Sequence, residues 1–258
     1  MTFFEILPCA FLAVFVYMNL LFVTALLRKR NDIVDIAWGP GFLIVGAVSL
    51  ISASSLHWRL LLSYALVGLW ALRLALHIWL RNKAKAEDFR YAQWRKDWGK
   101  TWVLRSWLQI FMLQGFFMLT VSYPLILQAG SHKDQLLATD LLGLLIWAMG
   151  FFFETVGDEQ LRRFKQNPAN KGKIMDRGLW SLTRHPNYFG EASMWWGVFV
   201  ISLGASHGIW AIFSPLIITW LLVKVSGVPM LEKRYQTDPV YREYVKRVSG
   251  FVPWKKKA

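Results

Sequence analysis

Apolar positions fill this chain in long runs, separated by short polar segments rich in lysine and arginine. Runs over residues 3–27, 34–54, 58–80, 106–128, 137–157, 187–205 and 208–226 match the about 20 apolar residues that a helix needs to cross a bilayer. The pattern predicts an all-α integral membrane fold, a seven-transmembrane helix bundle formed by residues 1–258 as a single membrane domain. An odd number of spans puts the termini on opposite sides. The first run has no basic leader and is long enough to span alone, so it is expected to be retained rather than cleaved as a signal peptide.

Composition agrees: 55% hydrophobic and 16% aromatic residues against 18% charged, in 258 positions, exceed what a soluble core of this size buries. The formal charge of +14 is one-sided, because the segments after spans one, three, five and seven hold 27 of the 30 Lys and Arg residues. The opposite loops hold Arg59 and Lys133. This asymmetry predicts an N-terminus outside and a C-terminus in the cytosol. It serves topology and attraction to anionic headgroups, as at Lys255, Lys256 and Lys257, or forms a basin for an anionic ligand.

Several classes fall away. Nucleic acid is not expected as a partner, since the basic residues are split over four loops with no recognition motif. Cys9 is the only cysteine and can form neither an intrachain disulfide nor a cysteine cluster. The five histidines, His57, His77, His132, His185 and His207, show no metal-ligand spacing, so no metal site is expected. There is no GxGxxG motif, and Gly99-Lys100-Thr101 is not a phosphate-binding loop.

The remaining chemistry gathers at the cytosolic ends of the spans. Trp70, Arg73, His77 and Arg81 share one face of the third helix, with Arg73 about 12 Å deeper than Arg81. Glu154, Asp158, Arg162 and Lys165 repeat the pattern on span five, where an Asp158–Arg162 pair within the helix is the bland reading. Span six carries Asn187, Glu191 and Trp195 at four-residue steps, and span two carries Asp32, Asp35 and Gly39. Asp32 reads as a helix N-cap, whereas Asp35 lies deeper. The stretch 87–100 suits an amphipathic interfacial helix as well as a phosphate site. Gly39-Pro40-Gly41 is either a kink or a close helix contact.

The densest cluster is GLWSLTRHPNYFGEASMWWG at 178–197. Polar groups carried into lipid are candidate functional residues by default. Together with LWALRLALHIWLRN, EDFRY, DEQLRRFK and the terminal YREYVKRVSGFVPW, it resembles the membrane-embedded steroid 5α-reductase family, and more closely its uncharacterised bacterial relatives that share that C-terminal domain, over 64–258. More distantly the chain is similar to isoprenylcysteine carboxyl methyltransferases, which carry a comparable RHP motif.

The reductase resemblance implies NADPH bound by Arg73, His77, Arg81, Arg90, Tyr91, Asp158, Arg162, Lys165, Lys173, Arg184, His185, Asn187, Tyr188, Glu191, Tyr241 and Arg247. It implies hydride transfer to a carbon–carbon double bond conjugated to a ketone, in a steroid-like or other hydrophobic substrate from the bilayer. The usual glutamate and tyrosine that hold the ketone correspond to Trp38 and Trp70 here, so Asp35 is the substitute polar candidate. Asp35, Trp38, Trp70 and Glu191 form the catalytic set. The methyltransferase alternative places S-adenosylmethionine at the same Arg184–Glu191 cluster, and six cations (73, 81, 162, 165, 173 and 184) weigh towards a polyphosphate ligand instead. A non-enzymatic lipid-binding protein is the third reading. The expected location is a bacterial inner membrane, with the cofactor site facing the cytosol.

Overall fold

A computed structural model describes residues 2–53, 55–83, 85–131, 135–233 and 235–255. His132, Lys133, Lys256 and Lys257 lie outside the described residues. Among those described the chain is helical, with no strand; one isolated parallel bridge joins Thr183 and Ser249. It divides into two compact units. The first comprises Met1–Leu136 and Ser202–Phe213, and the second Leu137–Ile201 and Ser214–Ala258.

In the first unit, helix α1 (Phe3–Arg28) buries Ile6, Ala10, Val14, Met18 and Ala25 in one stripe and exposes Phe4, Phe11, Leu12, Phe15, Leu20 and Leu27 on the rest. A helix that is apolar all round is one that faces lipid. Helices α2 (Ile33–Ser52) and α3 (Trp58–Asn82) pack closely. A Cβ placed on Gly39 would stand 2.4 Å from the Ala71 carbonyl oxygen, and one on Gly46 would stand 2.3 Å from the Tyr64 ring. Gly39-Pro40-Gly41 therefore serves close helix contact, and α2 runs unbroken through Pro40.

The fourth apolar segment is longer and more varied than expected. Helix α4 (Phe89–Trp98), a short 3-10 turn, α5 (Trp102–Ser106), a π-helical stretch over Trp107–Met112 and α6 (Leu113–Val121) follow one another without a break. These 33 residues exceed what a bilayer core requires, so the polar start of α4 is left for the interface. Beyond Ser122 comes α7 (Tyr123–Ala129). His57 caps α3 by accepting the Leu60 N–H at Nδ1 (3.3 Å), and its Nε2 lies 2.8 Å from the Gln128 carbonyl oxygen. Arg59, fully buried, donates to the carbonyls of Gln135 (2.6 Å) and Gly204 (3.3 Å).

The second unit is built on α8 (Ala138–Gln166) and α9 (Pro186–Ser202). Glycines at seven-residue intervals form the seam. Cβ atoms on Gly143 and Gly150 would stand 2.6 Å from the carbonyl oxygens of Gly197 and Gly190, and Gly157 faces Pro186. Helix α10 (Phe213–Trp220), which begins at the boundary of the two units, runs on through a π turn at Leu221–Val225. Then come α11 (Val228–Lys233) and α12 (Pro239–Arg247).

Among the described residues, six helical segments are long and apolar enough to cross a membrane: Phe3–Arg28, Ile33–Ser52, Trp58–Asn82, Phe89–Val121, Ala138–Gln166 and Gly208–Lys233. Five of them coincide with expected spans, and Phe89–Val121 overlaps the expected 106–128 only over 106–121. The remaining one, 187–205, corresponds to α9, whose 17 residues rise only about 25 Å.

Candidate functional site

In the second unit the residues of the RHP segment are held from below by the C-terminal segment. Thr183, fully buried, donates its hydroxyl to the Phe251 carbonyl (2.8 Å) and accepts the His185 N–H (3.2 Å). The Arg184 and Trp254 N–H groups donate to the carbonyls of Ser249 and Leu182, both at 2.9 Å. The Tyr244 hydroxyl donates to the Trp180 carbonyl at 2.5 Å, and the Trp180 indole to the Gly157 carbonyl at 2.9 Å.

Arg184 is the centre of this arrangement. Its Nε donates to Glu232 Oε1 at 2.8 Å, and one terminal nitrogen donates to the carbonyls of Val248 (2.7 Å) and Val245 (3.3 Å). His185 Nε2 lies 3.0 Å from the same Glu232 oxygen, and the His185 ring stacks on Tyr188 with centroids 5.6 Å apart. Tyr241 packs against Tyr244 and Tyr235. Burial, reinforced by the Glu232 charge, raises the Tyr241 hydroxyl far above its ordinary range. Glu232 escaped the sequence reading. Its only signal there was an acid in the short basic segment that follows the last span.

Above the RHP segment, Asn187 donates its amide to Asp158 Oδ1 at 3.2 Å. Glu191 lies one turn along α9, and Glu154 one turn back along α8. All three carboxylates, at 154, 158 and 191, are buried. The bland alternative, a pair between Asp158 and Arg162, does not form. Arg162 turns to the exposed face and grips Glu159 (2.6 and 2.7 Å) and Gln166 (3.0 Å), because Glu159 offers it a bidentate partner three residues back. Lys165, Lys173 and Arg247 are exposed, and Arg247 donates to the Glu243 carbonyl at 3.4 Å.

The first unit gathers the other predicted residues. Asp35 accepts from Arg90 at 2.9 Å and from the Tyr91 hydroxyl at 2.5 Å. Arg90 also binds Asp88. Asp32 sits at the N-cap position of α2, but makes no side-chain cap there; its carboxylate holds Arg30 (2.8 Å) and the Asp88 N–H (3.1 Å) instead. Glu87 takes the Asn31 N–H (2.7 Å) and Arg95 (2.8 Å). Three carboxylates thus strap α4 to the start of α2. Trp38, Phe42 and Trp70 continue inward from Asp35 as edge-to-face pairs with centroids 5.0 and 5.2 Å apart. Arg73 and His77 are half-buried on α3, and Arg81 is exposed, bonding to Asn82 at 3.2 Å.

Burial works to raise the Asp88 carboxyl, but hydrogen bonds from the Arg90 side chain and N–H, with the Arg90 and Arg81 charges, leave it below the usual carboxylate range. A group depressed in the folded state contributes stability above its unfolded pKa and loses it as pH falls through the folded value. Protection of the α4 amides in hydrogen exchange is therefore expected to hold above about pH 4 and to decline below it. Asp88→Asn should show weaker protection at neutral pH with a flatter acid dependence, and an unchanged acid profile would contradict this account.

Residues 21–248 match the family described as "Protein of unknown function (DUF1295)". The chain belongs to the DUF1295 family. That match begins well before residue 64 and takes in α2 as well as the C-terminal motifs. Among curated proteins, the "Probable O-methyltransferase ustE" of Ustilaginoidea virens is 40% identical over 67 residues, 26% of this chain and 24% of that protein. The "Uncharacterized protein C594.04c" of Schizosaccharomyces pombe (strain 972 / ATCC 24843) is 25% identical over 225 residues, 76% of this chain and 63% of that one. The chain thus spans less than two thirds of the length of either relative. No solved structure matches.

Proposed function

We propose that this DUF1295 protein is a membrane-embedded enzyme that transfers a methyl group from S-adenosylmethionine to an oxygen of a hydrophobic acceptor drawn from the bilayer. The observation that carries the reading is the engagement of Arg184 by Glu232 and two backbone carbonyls. The preference for NADPH rested on six cations facing a polyphosphate. Of these, Arg184 is turned towards a carboxylate in its own unit, and Arg162 is paired with Glu159 on an exposed face. What α8 and α9 present instead is an amide and buried carboxylates at 154, 158, 187 and 191. A cofactor with an amine, a sulfonium and a carboxylate suits that balance better than one with several phosphates. The name of the Ustilaginoidea relative supports methyl transfer to oxygen. In that reaction the acceptor oxygen forms its bond to carbon as the carbon–sulfur bond breaks, a hydroxyl acceptor gives its proton to a base, and S-adenosylhomocysteine leaves.

NADPH-dependent reduction of a conjugated carbon–carbon double bond is the second reading. Its support is the motif resemblance together with Asn187 and Glu191 one turn apart on α9, a donor and an acceptor fitted to a carboxamide. In either case we place seven crossings in the membrane, α9 included, with the N-terminus outside and the cofactor site towards the cytosol, the orientation that the lysine and arginine distribution favours.

Thermal unfolding of the detergent-solubilised protein with S-adenosylmethionine, NADPH and NADH separates the readings. A ligand that binds only the folded state adds about 2.7 kcal/mol at 100 times its dissociation constant. Stabilisation by S-adenosylmethionine, reduced at least tenfold in apparent affinity by Asp158→Asn, is expected. Stabilisation by NADPH alone moves the assignment to the reductase, and no response to any of the three argues against both.

A further inference from the structure

Residues 251–255 of the second unit combine a fixed backbone with exposed apolar side chains. The Trp254 N–H donates to the Leu182 carbonyl at 2.9 Å, and the Phe251 carbonyl accepts the Thr183 hydroxyl at 2.8 Å, so the run is pinned to the RHP segment at both places. Phe251 turns inward: its ring lies 6.0 Å from that of Phe189, which stands 5.1 Å from Phe153 of α8. The alternate positions turn outward, with Val252 58% and Trp254 72% exposed. One exposed apolar residue is ordinary on any surface. An indole held outside by an anchored backbone, two positions from an exposed valine, calls for a partner.

The level of this run on α8 identifies that partner. The exposed side of α8 is apolar through Leu145, Met149 and Phe152 and charged at Glu159, Arg162 and Arg163. From Phe152 to Glu159 the helix rises about 10 Å, and the change from a lipid-facing to a water-facing surface falls in that interval. Gly157 lies inside it, and its carbonyl accepts the Trp180 indole N–H at 2.9 Å. Trp254 is bonded two residues further along the same segment, at Leu182. Its side chain thus stands near the depth where α8 leaves the hydrocarbon, which is the depth that tryptophan favours. Lys255 follows, exposed, and the sequence continues with Lys256 and Lys257. Cations beside an exposed indole complement a bilayer surface with anionic headgroups, whereas a contact between two copies of the chain would crowd these charges into an interface.

We propose that Val252, Trp254 and Lys255 form a membrane anchor that docks the C-terminal segment into the headgroup region of an anionic bilayer. The anchor holds the segment that braces Leu182 and Thr183, and it does so whichever cofactor the protein binds. The test uses the full-length protein in nanodiscs of mixed phosphatidylglycerol and phosphatidylcholine. Cys9→Ala removes the native thiol, and an environment-sensitive fluorophore is attached through Val252→Cys, Trp254→Cys or Glu243→Cys, the last on the exposed, charged face of α12. A label seated about 5–10 Å into the headgroup boundary should lose about half or more of its emission to a lipid spin-labelled near the headgroup. It should respond little to a lipid spin-labelled at the acyl end or to aqueous iodide. That result is expected at 252 and 254, and the reverse, iodide quenching alone, at 243. The shallow quenching should weaken in pure phosphatidylcholine. Iodide quenching at 252 and 254 equal to that at 243 overturns the proposal. Shielding from iodide without quenching by either lipid overturns it too, in favour of a contact between copies. Shallow quenching of the same size in pure phosphatidylcholine overturns the assignment to an anionic surface.

Discussion

Glu232→Ala is expected to loosen the whole C-terminal cap and to abolish cofactor-induced stabilisation. The carboxylate holds Arg184 at 2.8 Å and His185 at 3.0 Å, and the Arg184 and Glu232 side chains are only 12% and 20% exposed. Removing one partner of a buried ion pair costs about 3–5 kcal/mol, and the residual exposure together with the surviving bonds to Val245 and Val248 brings the figure here to about 2–3 kcal/mol. Hydrogen exchange over 239–252 should rise several-fold, because Arg184 would then tie α12 to the RHP segment without its anchor on α11. Glu232→Gln, which keeps one acceptor oxygen, should recover part of the protection. If the alanine variant matches wild type in both exchange and ligand response, Glu232 has no part in organising the site.

That residue also marks where reading the sequence stopped short. Hydropathy alone located the long apolar helices, six of them long enough to cross a membrane among the described residues, since a run of about 20 apolar residues has few folds open to it in lipid. A helix at α4 was equally legible, from charges and tryptophans within ten positions. The ion pairs were not. Glu232 follows Arg184 by 48 residues and Arg90 follows Asp35 by 55, and no local periodicity links partners so far apart. Charge counting placed Arg90, Arg162 and Arg184 among the cofactor-facing cations, and in the structure each meets a carboxylate. Even the choice between two neighbouring acids, Asp158 and Glu159, went the other way for Arg162, because three- and four-residue spacings are both open on a helix.

The seam between α8 and α9 had a signal that could have been read. Gly143, Gly150 and Gly157 recur every seven residues within an apolar run, and small residues at such spacing let membrane helices approach closely. The sequence also shows Gly190 and Gly197 at the same interval on the next helix. Together they set the depth at which Asn187 meets Asp158. The site chemistry on α8 and α9 is thus fixed by residues that carry no chemistry themselves.

Gly190→Val should accordingly be among the most damaging single changes in the second unit. A Cβ there would stand 2.5 Å from both the Glu154 N and the Gly150 carbonyl oxygen, and 2.8 Å from the Glu154 Cβ. The obstacles are backbone atoms of a facing helix, which no side-chain rotation relieves, so α8 and α9 must separate along the seam. Overpacking of this kind costs about 1–3 kcal/mol where side chains yield, and the backbone contact puts the expected loss at or above the upper end. The yield of monodisperse protein should fall sharply, and any folded remainder should have lost the Asn187–Asp158 contact and with it the cofactor response. Gly68→Ala is the matched control. Gly68 lies inside α3 with nothing nearer than 3.5 Å to an added Cβ, so the substitution should be neutral or stabilising by up to about 1 kcal/mol through helix propensity. Equal tolerance of both changes in size-exclusion profile and Tm would mean that the α8–α9 seam does not set the geometry of the site.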